Sequence, residues 1–177
     1  LKGIDVNILF VDDENQCTPE TAQQIKIAKN YGIEILSTVD FQRYTTIIDA
    51  LLGVGLSREV KGQYAQIIHE INHSKALVLA VDIPSGISAD NGKVLGTAIK
   101  ADKTVTFGFK KIGLVLYPGA DYSGIIKVKD IGITEVGFEG ELPKIYSHTL
   151  EDLKMIPMRK SYANKGTFGR VLVMAGS

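Results

Sequence analysis

Ala76-Leu77-Val78-Leu79-Ala80-Val81-Asp82-Ile83-Pro84-Ser85-Gly86 is the stretch that decides the fold. Its first six residues form a continuous apolar run, the mark of a strand buried on both faces of a parallel sheet. The run closes in a carboxylate, a rigid proline, a hydroxyl and a glycine. In open α/β sheets, ligands bind just beyond the carboxyl ends of the strands. Thr46-Ile47-Ile48-Asp49-Ala50-Leu51-Leu52, leading into Gly53-Val54-Gly55, repeats the theme. Two acids at two strand ends, each beside a flexible turn, point to one shared site.

Outward from these strands the chain alternates. Ile4 to Val11 reads as a strand with Ile4, Val6, Ile8 and Phe10 on one face. Thr18 is placed to cap a helix, with Pro19 at its first position and Glu20 in its first turn; Gly32 ends it, and Ile25 and Ala28 face the core. Ile33 to Leu36 and Thr45 to Leu51 are short strands. Tyr64, Ile67, Ile68 and Ile71 recur at helical spacing, which predicts an amphipathic helix from Gln63 to about Ser74. Beyond Gly86, strands are expected at Thr104 to Phe107, Leu114 to Tyr117 and Ile125 to Val128. This order predicts a Rossmann-like three-layer αβα sandwich around a mostly parallel sheet. Residues 134–164 read as a linker, with a short helix at Leu150 to Met155. The terminal strand, Gly169 to Ser177, belongs to a further domain beginning near 165.

Of the 177 residues 45% are hydrophobic and 23% charged, the composition of a soluble globular protein. Lys+Arg and Asp+Glu both number 20, so no net field attracts nucleic acid or an anionic membrane. No apolar stretch approaches the roughly 20 residues a membrane span requires. One cysteine, Cys17, excludes an intrachain disulfide framework and makes a reducing cytoplasm the expected setting. Leu1-Lys2-Gly3 lacks a signal peptide's features and reads like a helix tail. With a terminal strand that stops as its turn begins, the chain is expected to be a piece of a longer polypeptide.

Several residues could carry chemistry. Gly53-Val54-Gly55-Leu56-Ser57-Arg58-Glu59 follows a strand as a phosphate-cradling turn would, and Ser57 and Arg58 suit phosphate oxygens. A plain strand-to-helix turn is the competing reading, since Arg58 stands where the dinucleotide fingerprint has its third glycine. Asp49 and Asp82 also read as turn or cap residues. A buried carboxylate nonetheless needs a hydrogen-bond partner, a counter-charge or a cation. Ser85 is no nucleophile elbow, because Ile83 stands where that motif requires glycine; it could offer an oxygen to a cation. His69 and His73 lie four apart on one helix and read as a solvated surface pair. His148 falls in the linker, and Cys17 has no activating neighbour. Lys100, Lys103, Lys110 and Lys111 form a loose basic run, of which one lysine could meet a phosphate.

Together these motifs resemble a known family. Asp49 to Arg58, Val81-Asp82-Ile83-Pro84-Ser85-Gly86, Ala101 to Phe107, Lys111-Ile112-Gly113-Leu114, Tyr117-Pro118-Gly119-Ala120 and Val128 to Ile133 stand in the order seen in NAD(P)H-hydrate epimerases, the YjeF N-terminal family. The resemblance covers residues 1 to about 133. Lys165 to Ser177 resembles the opening of the ribokinase-like ADP-dependent NAD(P)H-hydrate dehydratase, which requires ADP and magnesium. The resemblance implies a potassium ion held by Asp49 and Ser85. It further implies nucleotide contacts from Gly53, Val54, Gly55, Leu56, Ser57, Arg58, Glu59 and Asp82, with Asp82 as the catalytic acid/base. A homo-oligomer is compatible with it. The family's glycine-rich segment with paired asparagines is expected before Leu1, so these residues alone would form a partial, inactive site.

A non-catalytic nucleotide- or protein-binding module on the same fold is the alternative reading. Retention of Asp49, Asp82 and Ser85 together favours the enzyme. A generic kinase or hydrolase lacks support, since neither a P-loop nor Ser-His-Asp logic is present.

Overall fold

The computed structural model describes residues 3–138, 140, 145–158, 160–164, 166–167 and 170–175. The helix tail expected at Leu1-Lys2 lies outside them, as do Lys165, Phe168, Gly169, Gly176 and Ser177 of the expected final segment. Two compact units divide the chain, Leu1–Ile133 and Thr134–Ser177.

The first unit is α/β with parallel sheets. Strands β1 (Asn7–Leu9) and β2 (Glu34–Leu36) pair with each other, joined by helix α1 (Pro19–Asn30). The Thr18 hydroxyl accepts the Thr21 N–H, and Gly32 adopts φ 76°, so both ends of α1 fall where local capping chemistry places them. Ile25 and Ala28 are half-buried. The expected strand from Ile4 is shorter: Ile4 is 71% exposed, and the ladder holds Asn7, Ile8 and Leu9, with the Phe10 N–H on the Leu36 carbonyl beyond them.

The second sheet orders β3 (Thr46–Asp49), β4 (Leu77–Val81), β5 (Lys103–Phe107) and β6 (Ile125–Lys129), every neighbouring pair parallel. Helix α2 (Gly62–Asn72) crosses between β3 and β4 and buries Ile67, Ile68 and Ile71 against Val78 and Ala80. The short helix α3 (Gly119–Ser123) packs on the same face, where the Thr104 hydroxyl donates to the Ser123 carbonyl at 2.7 Å. The register puts Ile47, Asp49, Val78, Ala80 and Thr104 on that covered face. On the other face Ile48, Leu77 and Ile125 are exposed by half or more. Strand β4 is therefore buried on one side, not on both as its unbroken apolar run predicted, because both helices lie on that side.

Leu114 to Tyr117 form no strand. A 3₁₀ turn at Ile112–Leu114 directs Leu114 into a small core with Ile83, Ile87 and Ala98. Gly113 makes this possible: its N–H reaches the Ala89 carbonyl at 2.7 Å, and a Cβ there would lie 2.0 Å from the Ser88 carbonyl oxygen. Close backbone approach has overridden strand propensity.

Gly86 fixes the turn after β4. It adopts φ 95°, and a Cβ would sit 2.0 Å from the Thr97 carbonyl oxygen and 2.7 Å from Ala98 Cα. Gly86→Ala therefore combines backbone strain with overlap against backbone and should destabilise by about 3 kcal/mol. Urea unfolding checks this; an unchanged midpoint would refute the packing described.

In the second unit, Leu150–Met155 forms a 3₁₀ helix where a short helix was expected, its Thr149 N–H bound by the Asp152 carboxylate. Residues 170–175 form no strand; a strand needs a ladder partner, and none of the described residues pairs with them. No described helix is long and apolar enough to cross a membrane.

Candidate active site

Parallel pairing brings the carboxyl ends of β3, β4 and β5 to one edge of the sheet, and each contributes polar groups there. Asp49 is the last residue of β3 and is 1% exposed. Its Oδ2 accepts the Ser85 N–H at 2.8 Å, and its Oδ1 accepts the Ser85 hydroxyl at 2.5 Å and the Leu51 N–H at 3.3 Å. Ser85, also 1% exposed, accepts the Leu52 N–H at 2.9 Å, and the Leu52 carbonyl lies 3.3 Å from its Oγ. Burial pushes the Asp49 carboxyl above its ordinary value, against the opposing pull of the Ser85 hydroxyl, the Ser85 N–H and the Leu51 N–H. No cationic side chain pairs with Asp49 among the described residues.

Asp82 follows β4 directly. It is the one non-glycine residue with positive φ, 70°, among those described. Aspartate tolerates this left-handed conformation better than most residues. Its N–H still reaches the Val105 carbonyl at 2.8 Å, so the backbone stays tied to β5 while the side chain turns along the sheet edge. There Oδ1 collects three donors: the Lys111 ammonium, the Thr106 hydroxyl at 3.1 Å and the Phe107 N–H at 3.2 Å. Lys111 Nζ also meets Thr106 Oγ1 and the Phe107 carbonyl, each at 3.0 Å. Partial burial raises the Asp82 carboxyl, but Lys111, the Phe107 N–H and Thr106 together outweigh it and hold the group below its ordinary value. The pair is about three-quarters buried, with side chains 22% and 23% exposed.

Gly53 to Glu59 leaves the same edge four residues after Asp49 as an open turn, with the Leu56 N–H on the Gly53 carbonyl at 3.2 Å. A Cβ on Gly53 or Gly55 would meet nothing within 4 Å, and neither has positive φ. The chain's own packing therefore asks for no glycine at either position. Glu59 pairs with Lys61 at 3.0 Å, while no hydrogen bond joins Ser57 or Arg58 to either acid among the described residues.

The structure thus joins Asp49 to Ser85 and ties Asp82 to Lys111 and Thr106, with both sets along one edge. In the sequence Lys111 stood in a loose basic run and at the head of the Lys111-Ile112-Gly113-Leu114 motif, with no role assigned, and its partner is 29 residues away. Thr106, two residues from Thr104 on one face of β5, was the available signal. The His69 and His73 rings lie with centroids 4.1 Å apart, tilted by 39°, and no group of three metal-ligating His, Cys, Asp or Glu side chains occurs among the described residues. Clefts of about 480 and 340 Å³ lie beside α1, one lined by Phe10, Asp12, Cys17 and Thr18 and the other by Glu14, Ile25 and Lys29. They are apart from the two acids in sequence and take no residue from β3 to β6.

Residues 1–113 match the family described as YjeF-related protein N-terminus. Over 136 residues the chain is 46% identical to an NAD(P)H-hydrate epimerase of Oenococcus oeni, covering 76% of this chain and 65% of that protein. It is 46% identical over 133 residues to one from Weissella koreensis, covering 75% and 60%. Over 185 residues it is 41% identical to a bifunctional NAD(P)H-hydrate repair enzyme of Thermofilum pendens, covering 99% of this chain and 34% of that one. The chain spans less than two thirds of the length of each of these relatives.

Proposed function

The chain belongs to the YjeF-related N-terminal family, and from that premise we propose that it serves to interconvert the R and S epimers of hydrated NAD(P)H. The hydrate carries a hydroxyl at C6 of the nicotinamide ring, beside the ring nitrogen. Protonation lets that hydroxyl leave as water, and the nitrogen stabilises the cation left behind. Water then returns to either face. Asp82 is the acid/base group assigned to this proton, and its anion stabilises the developing charge. The observation that carries this reading is the shared edge: a charge-paired Asp82 at positive φ on one strand end and, on the next, a buried Asp49 that no cationic side chain pairs with among the described residues.

A potassium ion fits the second group. Asp49, Ser85 and the Leu52 carbonyl supply the oxygens hard cations prefer, around a buried carboxylate that no cationic side chain among the described residues neutralises. Asp49 and Ser85 are the residues assigned to hold it; the ion would supply the missing positive charge. Gly53 to Glu59 is assigned to the nucleotide. Glycines that the fold does not demand, next to an exposed hydroxyl and guanidinium, favour close approach of phosphate. The match of 99% of this chain to 34% of the Thermofilum pendens bifunctional enzyme supports coupling, in a longer protein, to an ADP- and magnesium-dependent dehydratase. The single cysteine supports a cytoplasmic setting.

A thermal-shift experiment on the full-length protein tests the assignment. NADPH-hydrate at ten times its Kd should add about 1.4 kcal/mol, several degrees in Tm, and potassium should enlarge that increment. Indifference to both nucleotide and potassium would instead favour a non-catalytic binding module.

A further inference from the structure

We propose that Lys111 is the general acid of this site, delivering the proton to the C6 hydroxyl and recovering it, while Asp82 stays ionised as the counter-anion. This rests on the epimerase reading above and divides between two residues a role that reading gives to one.

Three donors, one of them an ammonium, converge on a single oxygen of Asp82. A carboxylate so held carries no proton to give near neutral pH, and protonating it would break the ion pair. The mobile proton nearest to it is on Lys111 Nζ, which the Thr106 hydroxyl and Phe107 carbonyl hold at 3.0 Å each. All three donors reach Oδ1, so Oδ2 is spared for the substrate ring. The pair, about three-quarters buried, keeps some exposure, 22% and 23%, through which a ring can approach.

Charge movement favours the same division. A nicotinamide cation forming beside a fixed ammonium would be repelled by it. Transfer from Lys111 removes that repulsion as it arises. One Nζ–H bond breaks and an O–H bond forms; the C6–O bond breaks and its electron pair leaves with water. The ring nitrogen's lone pair closes the N1=C6 bond. Positive charge passes from the ammonium to the ring, so Asp82 faces one cation before and after. In the return step water adds to C6 and its proton goes to the neutral amine. Net charge and atoms balance, and no further reactant is needed.

The test uses the full-length protein, with epimer exchange followed by NMR and kcat separated from KM. Lys111→Arg keeps a permanent charge opposite Asp82 but has no proton to release. Lys111→Arg and Lys111→Met should both lose at least about 100-fold in kcat with KM changed less than about threefold. Methylammonium and ethylammonium should restore part of the rate to Lys111→Ala, while guanidinium should not. An Arg variant with kcat within about threefold of wild type would overturn the proposal and leave Lys111 a positioning residue. Should Lys111→Met not fold, the Arg variant decides alone, since it preserves the pair. Wild-type protein that binds the hydrate without exchanging its epimers would overturn the epimerase reading itself. Active wild type with an active Arg variant overturns only the role of Lys111.

Discussion

Asp82→Asn should abolish epimer exchange, by at least about 1,000-fold in kcat, while the hydrated nucleotide still binds. Loss of the preorganised charge facing the developing cation costs about 10²- to 10³-fold, and removing the anion that holds the Lys111 ammonium in place disables proton transfer, worth about 10²- to 10⁴-fold, as well. The substitution is gentle on the fold. Asparagine accepts the left-handed backbone at φ 70° as readily as aspartate, and its amide oxygen can take the Phe107 N–H and Thr106 hydroxyl. What disappears is the negative charge opposite Lys111. Interconversion of the R and S C6 proton signals by NMR, beside calorimetric titration with NADPH-hydrate, separates turnover from binding. Exchange within tenfold of wild type would remove Asp82 from the chemistry.

The strands and helix ends near the site were legible because their signals are local. Thr18, Pro19 and Gly32 bound α1 through interactions spanning a few residues, and the runs ending at Asp49 and Val81 form adjacent parallel strands. What the sequence could not show depends on distant partners. An apolar run reports that a strand is apolar, not which faces are covered, so Leu77 at 52% exposure was unforeseen. Leu114 to Tyr117 has strand-forming residues, yet the close approach of Gly113 to Ser88 draws the segment into a turn. Asp49 and Ser85 were paired as ligands by family resemblance, while their direct hydrogen bonds cross 36 residues. The ion pair of Asp82 and Lys111 crosses 29, and nothing in either local motif encodes it.

The second large effect falls on stability and is read at Asp49. Asp49→Ala strips the acceptor from the Ser85 N–H, the Leu51 N–H and the Ser85 hydroxyl in a region 1% exposed to solvent. Stranding buried donors of this kind should destabilise by about 3 kcal/mol or more, read by urea unfolding. Asp49→Asn behaves differently, because its amide can accept from the Ser85 N–H and donate to the Ser85 oxygen. It lacks the charge and the acceptor of the long 3.3 Å Leu51 N–H bond, and burial makes that charge unfavourable without a cation. The Asp49 carboxyl is raised above its ordinary 3.8 in the folded chain, so the folded state binds more protons through that interval. Its contribution to stability is therefore full below pH 3.8 and lost as pH rises through the raised value. In potassium-free buffer at pH 7, Asp49→Asn should match or exceed wild type. Adding potassium at ten times its Kd should raise wild type by about 1.4 kcal/mol and leave Asp49→Asn unmoved. An equal response to potassium in both proteins would place the ion away from Asp49 and leave the buried carboxylate a structural brace between β3 and the Ser85 turn.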